Sequence, residues 1–357
     1  MIRLRALAIA LLPAMLWIPL VSAQEAAPPG REALRQRALK EFDKDGDGRL
    51  SPKGRREALR AYRERQGARS RPAEETLPKG TKALRNIEYA RVDGKPLLLD
   101  IYLPKDAPRP LPVIVWIHGG GWQAGDKNRC PAVPFVSQGY AAVSINYRLT
   151  DEAPFPAQIH DCKAAIRWVR AHAKEYGFAA DRIGAWGASA GGHLAALLGT
   201  SGGVKDLEGN VGDNETYSSR VQAVCDFCGP SSFREEDFES DPWAEQQEGA
   251  KAVVKLLGGP LREHREMAVL ASPVAHVSRD DPPFLIVHGA KDTLVRPKHA
   301  ELLAAALQKA GVEVTLKILP DAGHGVGRPE AHKLAAEFFD RHLKAPTHGG
   351  AVTRPAR

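Results

Sequence analysis

From residue 83 onward, short apolar runs of β type alternate with helical stretches, and few folds accommodate that alternation. The runs at 112–117 and 283–288 are continuous and rich in Val and Ile. Such runs are typical of strands that are buried on both faces of a sheet. Between the runs, apolar residues recur at intervals of three and four, which indicates helices. The pattern predicts an α/β fold with a mostly parallel, eight-stranded sheet and helices on both faces.

Eight runs are candidate strands: 84–92, 96–103, 112–117, 139–146, 182–187, 221–226, 283–288 and 313–319. Asp93-Gly94 joins the first two, and this dipeptide is typical of a β-hairpin.

The segment Gly187-Ala188-Ser189-Ala190-Gly191 follows one of these strands and precedes an apolar helix. In G-x-S-x-G the serine lies on a sharp turn from strand to helix, so the flanking residues must be small. The turn exposes the Ser189 hydroxyl at the edge of the sheet, and it aims the Ala190 N–H at a reacting carbonyl. The placement after a strand predicts that Ser189 is a nucleophile.

The run His118-Gly119-Gly120-Gly121-Trp122 follows the strand at 112–117. Consecutive glycines leave backbone N–H groups unshielded, so an oxyanion can approach them closely. We therefore expect the N–H groups of Gly120 and Gly121, with that of Ala190, to form an oxyanion hole.

Asp292 and His324 each lie just past a candidate strand, so the chain order is Ser189, Asp292, His324. Open α/β sheets place their sites at the carboxyl ends of strands. His324 can accept the proton of Ser189, and Asp292 can orient the imidazole. Asp321 is the nearest rival acid but lies too close to His324 in sequence. His193 and His288, next to these motifs, are expected to pack or to support loops.

Together these motifs, HGGGW, GASAGG, HGAKDTLVRP and DAGHG, make residues 83–343 resemble an α/β-hydrolase carboxylesterase. They are similar to the hormone-sensitive-lipase-like and bacterial feruloyl-esterase-like group. The resemblance implies a triad of Ser189, Asp292 and His324 and an oxyanion hole from Gly120, Gly121 and Ala190. It also implies an acyl-enzyme mechanism that needs no cofactor.

The chain departs from the hormone-sensitive-lipase pattern at Ala188, where that pattern has an acidic residue. The surroundings of Asp292 are closer to the feruloyl-esterase-like and peptidase-like branches. The expected substrate is a small or polysaccharide-linked ester, with an acetyl or feruloyl group. Two alternatives remain open: a serine peptidase of prolyl type, and a calcium-dependent binding protein with an inactive hydrolase body.

Residues 1–23 have the pattern of a signal peptide. Arg3 and Arg5 precede an apolar run that ends in Val21-Ser22-Ala23, a small-residue cleavage site. The segment predicts a secreted or periplasmic protein with no stable membrane span after cleavage.

Residues 24–67 are predicted to form two short helices around a loop with the spacing D-x-D-x-D-G. This spacing is that of an EF-hand calcium loop. The candidate ligands are Asp43, Asp45, Asp47, the carbonyl of Arg49, and Ser51. The twelfth position should be a bidentate Glu but is Gly54, so we expect a weak calcium site or none.

The net charge of +7 belongs to the N-terminal region, where residues 31–80 hold 15 Lys and Arg against 9 Asp and Glu. The predicted catalytic domain is close to neutral, which argues against a nucleic-acid partner. An overall content of 43% apolar and 26% charged residues excludes global disorder and a multi-span membrane protein.

The remaining segments are a polar linker at 68–82 and a flexible tail at 344–357. Export permits disulfides. Cys130–Cys162 is a candidate bridge, whereas Cys225-x-x-Cys228 is expected to be buried and structural.

Overall fold

The computed structural model describes residues 31–51, 53–54, 57–58, 61, 77–234, 237 and 248–344. Its strands are β1 (Thr81–Val92), β2 (Lys95–Pro104), β3 (Leu111–Ile117), β4 (Ala141–Ile145), β5 (Phe178–Ala188), β6 (Ala223–Phe227), β7 (Phe284–Gly289) and β8 (Val314–Leu319). Its helices are α1 (Arg31–Phe42), α2 (Ala157–Ala171), α3 (Ala173–Tyr176), α4 (Ala190–Thr200), α5 (Lys205–Glu208), α6 (Glu248–Leu257), α7 (Arg265–Leu270), α8 (Lys298–Ala310) and α9 (Pro329–Leu343). Short 3-10 turns occupy Val133–Gln138, Leu261–Glu263 and Pro273–Ala275.

The eight strands form one sheet in the order β1-β2-β4-β3-β5-β6-β7-β8. β1 pairs antiparallel with β2, and β2 pairs antiparallel with β4. Every other neighbouring pair is parallel. The predicted mostly parallel sheet is confirmed. The carboxyl ends of β3, β5, β7 and β8 therefore meet at one edge, where the sequence places its candidate residues.

The strand limits agree with the sequence to within two residues except at two starts: β1 begins at Thr81 and not at residue 84, and β5 begins at Phe178 and not at residue 182. Phe178 pairs with Leu111, and the register shifts before the next pair, Val113 with Ile183. The first residues of β5, at 178–182, lack the continuous apolar character that identified the other strands. They belong to the sheet because Phe178 pairs with Leu111 of β3, which is distant in sequence.

Two hydrophobic clusters cover the two faces of the sheet, as predicted. In β3, Val113, Val115 and Ile117 pack on one face, and Ile114 and Trp116 pack on the other. The first face is covered by α2, α4 and α8, and the second by α9 and the turn at Val133–Gln138.

This layering excludes the candidate Cys130–Cys162 bridge. Cys162, on α2, belongs to the first cluster, whereas Cys130 belongs to the second, so the sheet lies between them. A disulfide needs Cα atoms within about 7 Å of each other. All four cysteines are buried free thiols, as the sequence predicts for Cys225-x-x-Cys228.

The chain divides into two compact units, Met1–Ala61 and Tyr62–Arg357. The predicted boundary lay six residues later, at 67/68. The predicted signal peptide, residues 68–76 of the linker, and the tail after Lys344 lie outside the described residues. Within the described part of the chain, none of the helices has the length and apolar character needed to cross a bilayer.

Candidate active site

The turn that carries Ser189 is tightly constrained by its glycines. Ser189 lies between β5 and α4 with φ of 56° and ψ of −123°, a backbone conformation that residues other than glycine rarely adopt. A Cβ added to Gly187 would lie 2.0 Å from the carbonyl oxygen of Gly191. A Cβ on Gly191 would lie 2.0 Å from the carbonyl oxygen of Ile117. Only glycine fits at either position, which explains the G-x-S-x-G spacing.

His324 connects Ser189 to Asp292. Its Nε2 lies 2.8 Å from the hydroxyl oxygen of Ser189, and its Nδ1 lies 2.8 Å from Oδ2 of Asp292. Because a carboxylate only accepts hydrogen bonds, Nδ1 carries the proton and Nε2 is free to accept one from Ser189. The three side chains that the sequence singled out therefore form one continuous chain of hydrogen bonds. This arrangement can draw the proton from the serine hydroxyl.

Asp292 is buried and held as an anion. Its Oδ1 accepts hydrogen bonds from the backbone N–H groups of Leu294 and Val295, each at 2.9 Å. Burial by itself would raise the pKa of Asp292, but hydrogen bonds from His288, His324 and the Val295 amide hold that pKa well below its usual range. A permanent negative charge at this position favours an imidazolium at His324.

The structure does not bring the rival acid Asp321 into this chain. The Asp321 side chain is 79% exposed, and its carboxylate lies 3.1 Å from the ammonium of Lys291. His288, in contrast, is fully buried. Its Nε2 lies 2.8 Å from the carbonyl oxygen of Val295 and 3.2 Å from Oδ2 of Asp292. It supports the turn that holds Asp292, the kind of role expected from the sequence.

Residues 118–125, named here the glycine loop, pass directly against the Ser189 turn. A Cβ on Gly119 would lie 2.7 Å from the carbonyl oxygen of Ala188, and one on Gly120 would lie 2.2 Å from that of Ala124. Gly120, Gly121 and Trp122 all have positive φ, at 112°, 59° and 56°. For a tryptophan this conformation costs roughly 1–3 kcal/mol, so surrounding contacts must hold it.

A cavity of about 400 Å³ opens over Ser189 and His324. The candidate oxyanion donors Gly120, Gly121 and Ala190 line it, together with a mostly apolar wall formed by Trp122, Pro230, Ala252, Leu294 and Val295. Sequence reasoning missed this wall. Ala252 lies on α6, far from any motif, and only the amphipathic pattern of that helix marks it as buried.

Cys228 lies beside the same site. Its Sγ is 3.3 Å from the carbonyl oxygen of His324 and within 4.8 Å of ligand atoms of Asp292 and His324. Burial raises the pKa of the Cys228 thiol, so the thiol form persists and is a poor metal ligand. Asp292 and His324 are already bonded to each other. The group is a packed contact and a poor match for a metal.

The N-terminal loop of residues 43–51, named here the acidic loop, brings the carboxylates of Asp43, Asp45 and Asp47 within 4.8 Å of one another. Asp43 accepts hydrogen bonds from the N–H groups of Gly46 and Gly48, each at 3.0 Å. Ser51 Oγ accepts one from the N–H of Gly54 at 3.0 Å.

Steric crowding also disfavours a larger residue at Gly54, the twelfth position counted from Asp43. A Cβ on Gly54 would lie 2.8 Å from the carbonyl oxygen of Phe42, so a longer residue there would require a shift of the backbone. Three carboxylates fit an oxygen-seeking cation, but the twelfth position, where an EF-hand loop has a bidentate acid, is Gly54 and offers no side-chain oxygen.

Comparison with known proteins defines the class. The BD-FAE family model matches residues 99–307. The esterase LipC of Mycobacterium tuberculosis is 31% identical over 282 residues, which cover 74% of this chain and 68% of LipC. The probable carboxylic ester hydrolase LipM of the same organism is 34% identical, with 75% of this chain and 62% of LipM covered.

Solved structures agree. A truncated carbohydrate esterase from gut microbiota is 33% identical with a TM-score of 0.68, covering 76% of this chain and 98% of that one. Esterase 2 of Thermogutta terrifontis is 30% identical with a TM-score of 0.62, covering 77% and 99%. The chain belongs to the BD-FAE family of α/β-hydrolases. It is a carboxylic ester hydrolase, as the resemblance predicted.

Proposed function

We propose that this protein hydrolyses esters through a covalent acyl-enzyme on Ser189. The observation that carries the proposal is the unbroken path of two 2.8 Å contacts from Ser189 through His324 to Asp292. Ser189 and His324 line an open cavity, so a substrate can reach them. A serine hydroxyl alone is a weak nucleophile, and an adjacent base within hydrogen-bond distance activates it.

In the first half-reaction, Ser189 Oγ attacks the ester carbonyl while His324 Nε2 takes the hydroxyl proton. The negative charge that develops on the carbonyl oxygen is stabilised by the N–H groups of Gly120, Gly121 and Ala190. His324 then gives its proton to the leaving alcohol, and Asp292 stabilises the transient imidazolium. Water repeats the sequence on the acyl-enzyme and releases the acid. This chemistry draws only on the chain's own residues.

We propose that the acyl group is small and that the alcohol is a carbohydrate or another small alcohol. A cavity of about 400 Å³ with an apolar wall suits a short acyl chain. One structural neighbour is a carbohydrate esterase, and esterase 2 of T. terrifontis has structures with propionate and butyrate bound. Of the acetyl and feruloyl esters expected from the sequence, these short-chain ligands favour the acetyl ester.

We further propose that the protein is exported by residues 1–23 and that the acidic loop binds calcium weakly. The support is the charged, apolar and small-residue order of the first segment and the three clustered carboxylates of the second. Neither feature enters the reaction steps above.

A substrate panel tests the proposal directly. Purified mature protein is assayed with p-nitrophenyl esters of two to eight carbons, acetyl-xylan, methyl ferulate and a prolyl p-nitroanilide. We expect the highest kcat/KM on the shortest esters and release of acetate from acetyl-xylan. A burst of p-nitrophenol equal to the enzyme concentration would report the acyl-enzyme. Turnover of the anilide with inert esters would instead support the peptidase alternative.

A further inference from the structure

Trp122 of the glycine loop and His193 of α4 are joined by a buried hydrogen bond that the reaction steps do not use. The indole Nε1–H donates to His193 Nδ1 at 3.2 Å. The other ring nitrogen of His193, Nε2, lies 2.7 Å from the carbonyl oxygen of Ala271. His193 is fully buried, and Trp122 is only 3% exposed.

These partners define the protonation state of His193. An indole N–H can only donate, and a carbonyl oxygen can only accept. Nδ1 must therefore be bare and Nε2 must carry the hydrogen, which makes the ring neutral. Burial acts in the same direction, because it lowers the pKa of His193 to about 4.

The hydrogen bond connects the two halves of the proposed oxyanion hole. Trp122 is the third of three consecutive residues with positive φ and directly follows the proposed donors Gly120 and Gly121. His193 lies one helical turn after Ser189, and its N–H donates to the Ser189 carbonyl at 2.9 Å. The strained loop is thus anchored to the helix that carries the nucleophile and Ala190.

The packing around the pair fixes its geometry. Phe233 contacts both rings edge-on, with ring centroids 6.1 Å from Trp122 and 5.2 Å from His193. The Trp122 carbonyl oxygen accepts a hydrogen bond from the N–H of Thr150 at 2.8 Å. The backbone and the ring of Trp122 are held separately: the backbone bonds to Thr150, and the ring bonds to His193 of α4.

We propose that His193 is a positioning residue that acts through Trp122 to set the distance between the glycine-loop donors and Ser189. The proposal rests on the proposed function, since it assigns a role in forming that oxyanion hole. Oxyanion stabilisation depends on donors placed 2.7–3.1 Å from the developing charge, so a small displacement affects the transition state more than the bound ester. Loss of the contact should lower kcat more than it changes KM.

Two amide substitutions separate the contacts of His193. In His193→Asn the side-chain oxygen can take the position of Nδ1 and accept from Trp122, but the contact to Ala271 is lost. In His193→Gln the amide NH₂ can replace Nε2 and donate to Ala271, but no acceptor faces Trp122. A purely structural role predicts that the smaller Asn is the worse substitution. The positioning role predicts the reverse order for kcat.

We expect His193→Gln to lower kcat on p-nitrophenyl acetate by about 10- to 100-fold with KM within about threefold, and His193→Asn to recover most of that loss. Affinity for a small boronic acid, which forms a tetrahedral adduct on the serine, should fall in parallel with kcat. Trp122→Phe removes the donor and keeps an aromatic ring, so it should reproduce the His193→Gln loss. The double variant should be no worse than either single one.

His276→Gln is the matched control, because His276 Nε2 also donates to a carbonyl oxygen, that of Leu270, at 2.8 Å. It should leave kcat unchanged.

The positioning role would be overturned by wild-type kcat in both His193→Gln and Trp122→Phe. Equal losses of kcat in His193→Asn and His193→Gln would also overturn it. If the His193 variants fail to fold, the wild-type protein still provides a test. Its Trp122 indole proton should be shifted downfield and exchange slowly in NMR spectra, and a rapidly exchanging, unshifted resonance would also overturn the role. A fully active Ser189→Ala variant would instead overturn the proposed function.

Discussion

The carboxyl edge of the sheet and the acidic loop both carry a recognisable motif, but the two motifs are held together by different parts of the structure. At the sheet edge, Ser189 and His324 are 135 residues apart in sequence and meet at 2.8 Å. In the acidic loop all the candidate ligands lie within nine residues, and Asp45 and Asp47 are exposed. One motif needs the whole fold to bring its residues together, whereas the other is local.

A motif assembled from distant segments is stronger evidence of function than a local motif. At the sheet edge, several separate segments end side by side, and each carries a residue type that the same reaction needs. Folding alone does not require those residue types to meet there. In the acidic loop, Asp43 already accepts hydrogen bonds from the N–H groups of Gly46 and Gly48, which hold the turn without a ligand. A turn of this kind is stable for local reasons.

Ser189→Ala tests the sheet edge with the largest expected effect. Covalent catalysis is lost while the oxyanion donors remain, so kcat on p-nitrophenyl acetate should fall at least about 10⁵-fold. The measurement is steady-state kinetics beside a Ser137→Ala control, which removes an exposed hydroxyl bonded to the carbonyl of Pro134. A variant that retains appreciable activity would mean that the assembled residues are not the reacting ones.

Asp292→Asn should cost about 10⁴-fold in kcat. The amide can donate to His324 Nδ1, which favours the wrong tautomer and removes the charge that stabilises the imidazolium. Asp321→Asn is the matched control, because Asp321 lies in the adjacent loop but pairs with Lys291 at the surface. Equal losses in the two variants would restore Asp321 as the orienting acid.

The stability of the catalytic unit should fall as the pH is lowered. Burial lowers the pKa of His118 and His193 to about 4 and that of His299 to about 3, so these rings are neutral when folded. In the unfolded chain they bind protons below about pH 6.5. Stability present above that pH is therefore lost progressively from pH 6.5 toward 4, by about 2 kcal/mol for each ring at pH 5.

Asp226 opposes this trend. Burial raises its pKa to about 6, so the folded protein binds this proton before the unfolded chain does, which adds about 1 kcal/mol at pH 5. Three histidines outweigh one carboxyl group. The free energy of unfolding, measured by urea titration, should be several kcal/mol smaller at pH 5 than at pH 7.5. In His299→Asn the decrease should be smaller, and a flat profile in the wild type would contradict the neutral buried rings.

The strands, and the three residues that meet at the sheet edge, could be identified from the sequence because both leave local marks. Buried strands are continuous apolar runs, and the Ser189 turn requires glycine at 187 and 191. The start of β5 was missed because its first residues join the sheet only through pairing to β3. The cavity wall was missed for a similar reason, since Ala252 enters the site by tertiary packing. The Cys130–Cys162 candidate failed because spacing says nothing about the face of the sheet on which a thiol lies.

Calcium removal should have the smallest effect on kcat. It tests most directly whether the acidic loop and the sheet edge work independently. The reaction steps draw only on residues of the sheet edge and the glycine loop, so a chelator should leave kcat on p-nitrophenyl acetate within about threefold. Calcium at ten times its dissociation constant should stabilise the unit that contains the acidic loop by about 1.4 kcal/mol. Calorimetric titration of the full chain with calcium, beside Asp45→Ala, measures the binding. Loss of turnover on chelation that calcium restores would mean that the acidic loop supports catalysis, and the two regions would then have to be treated as one functional site.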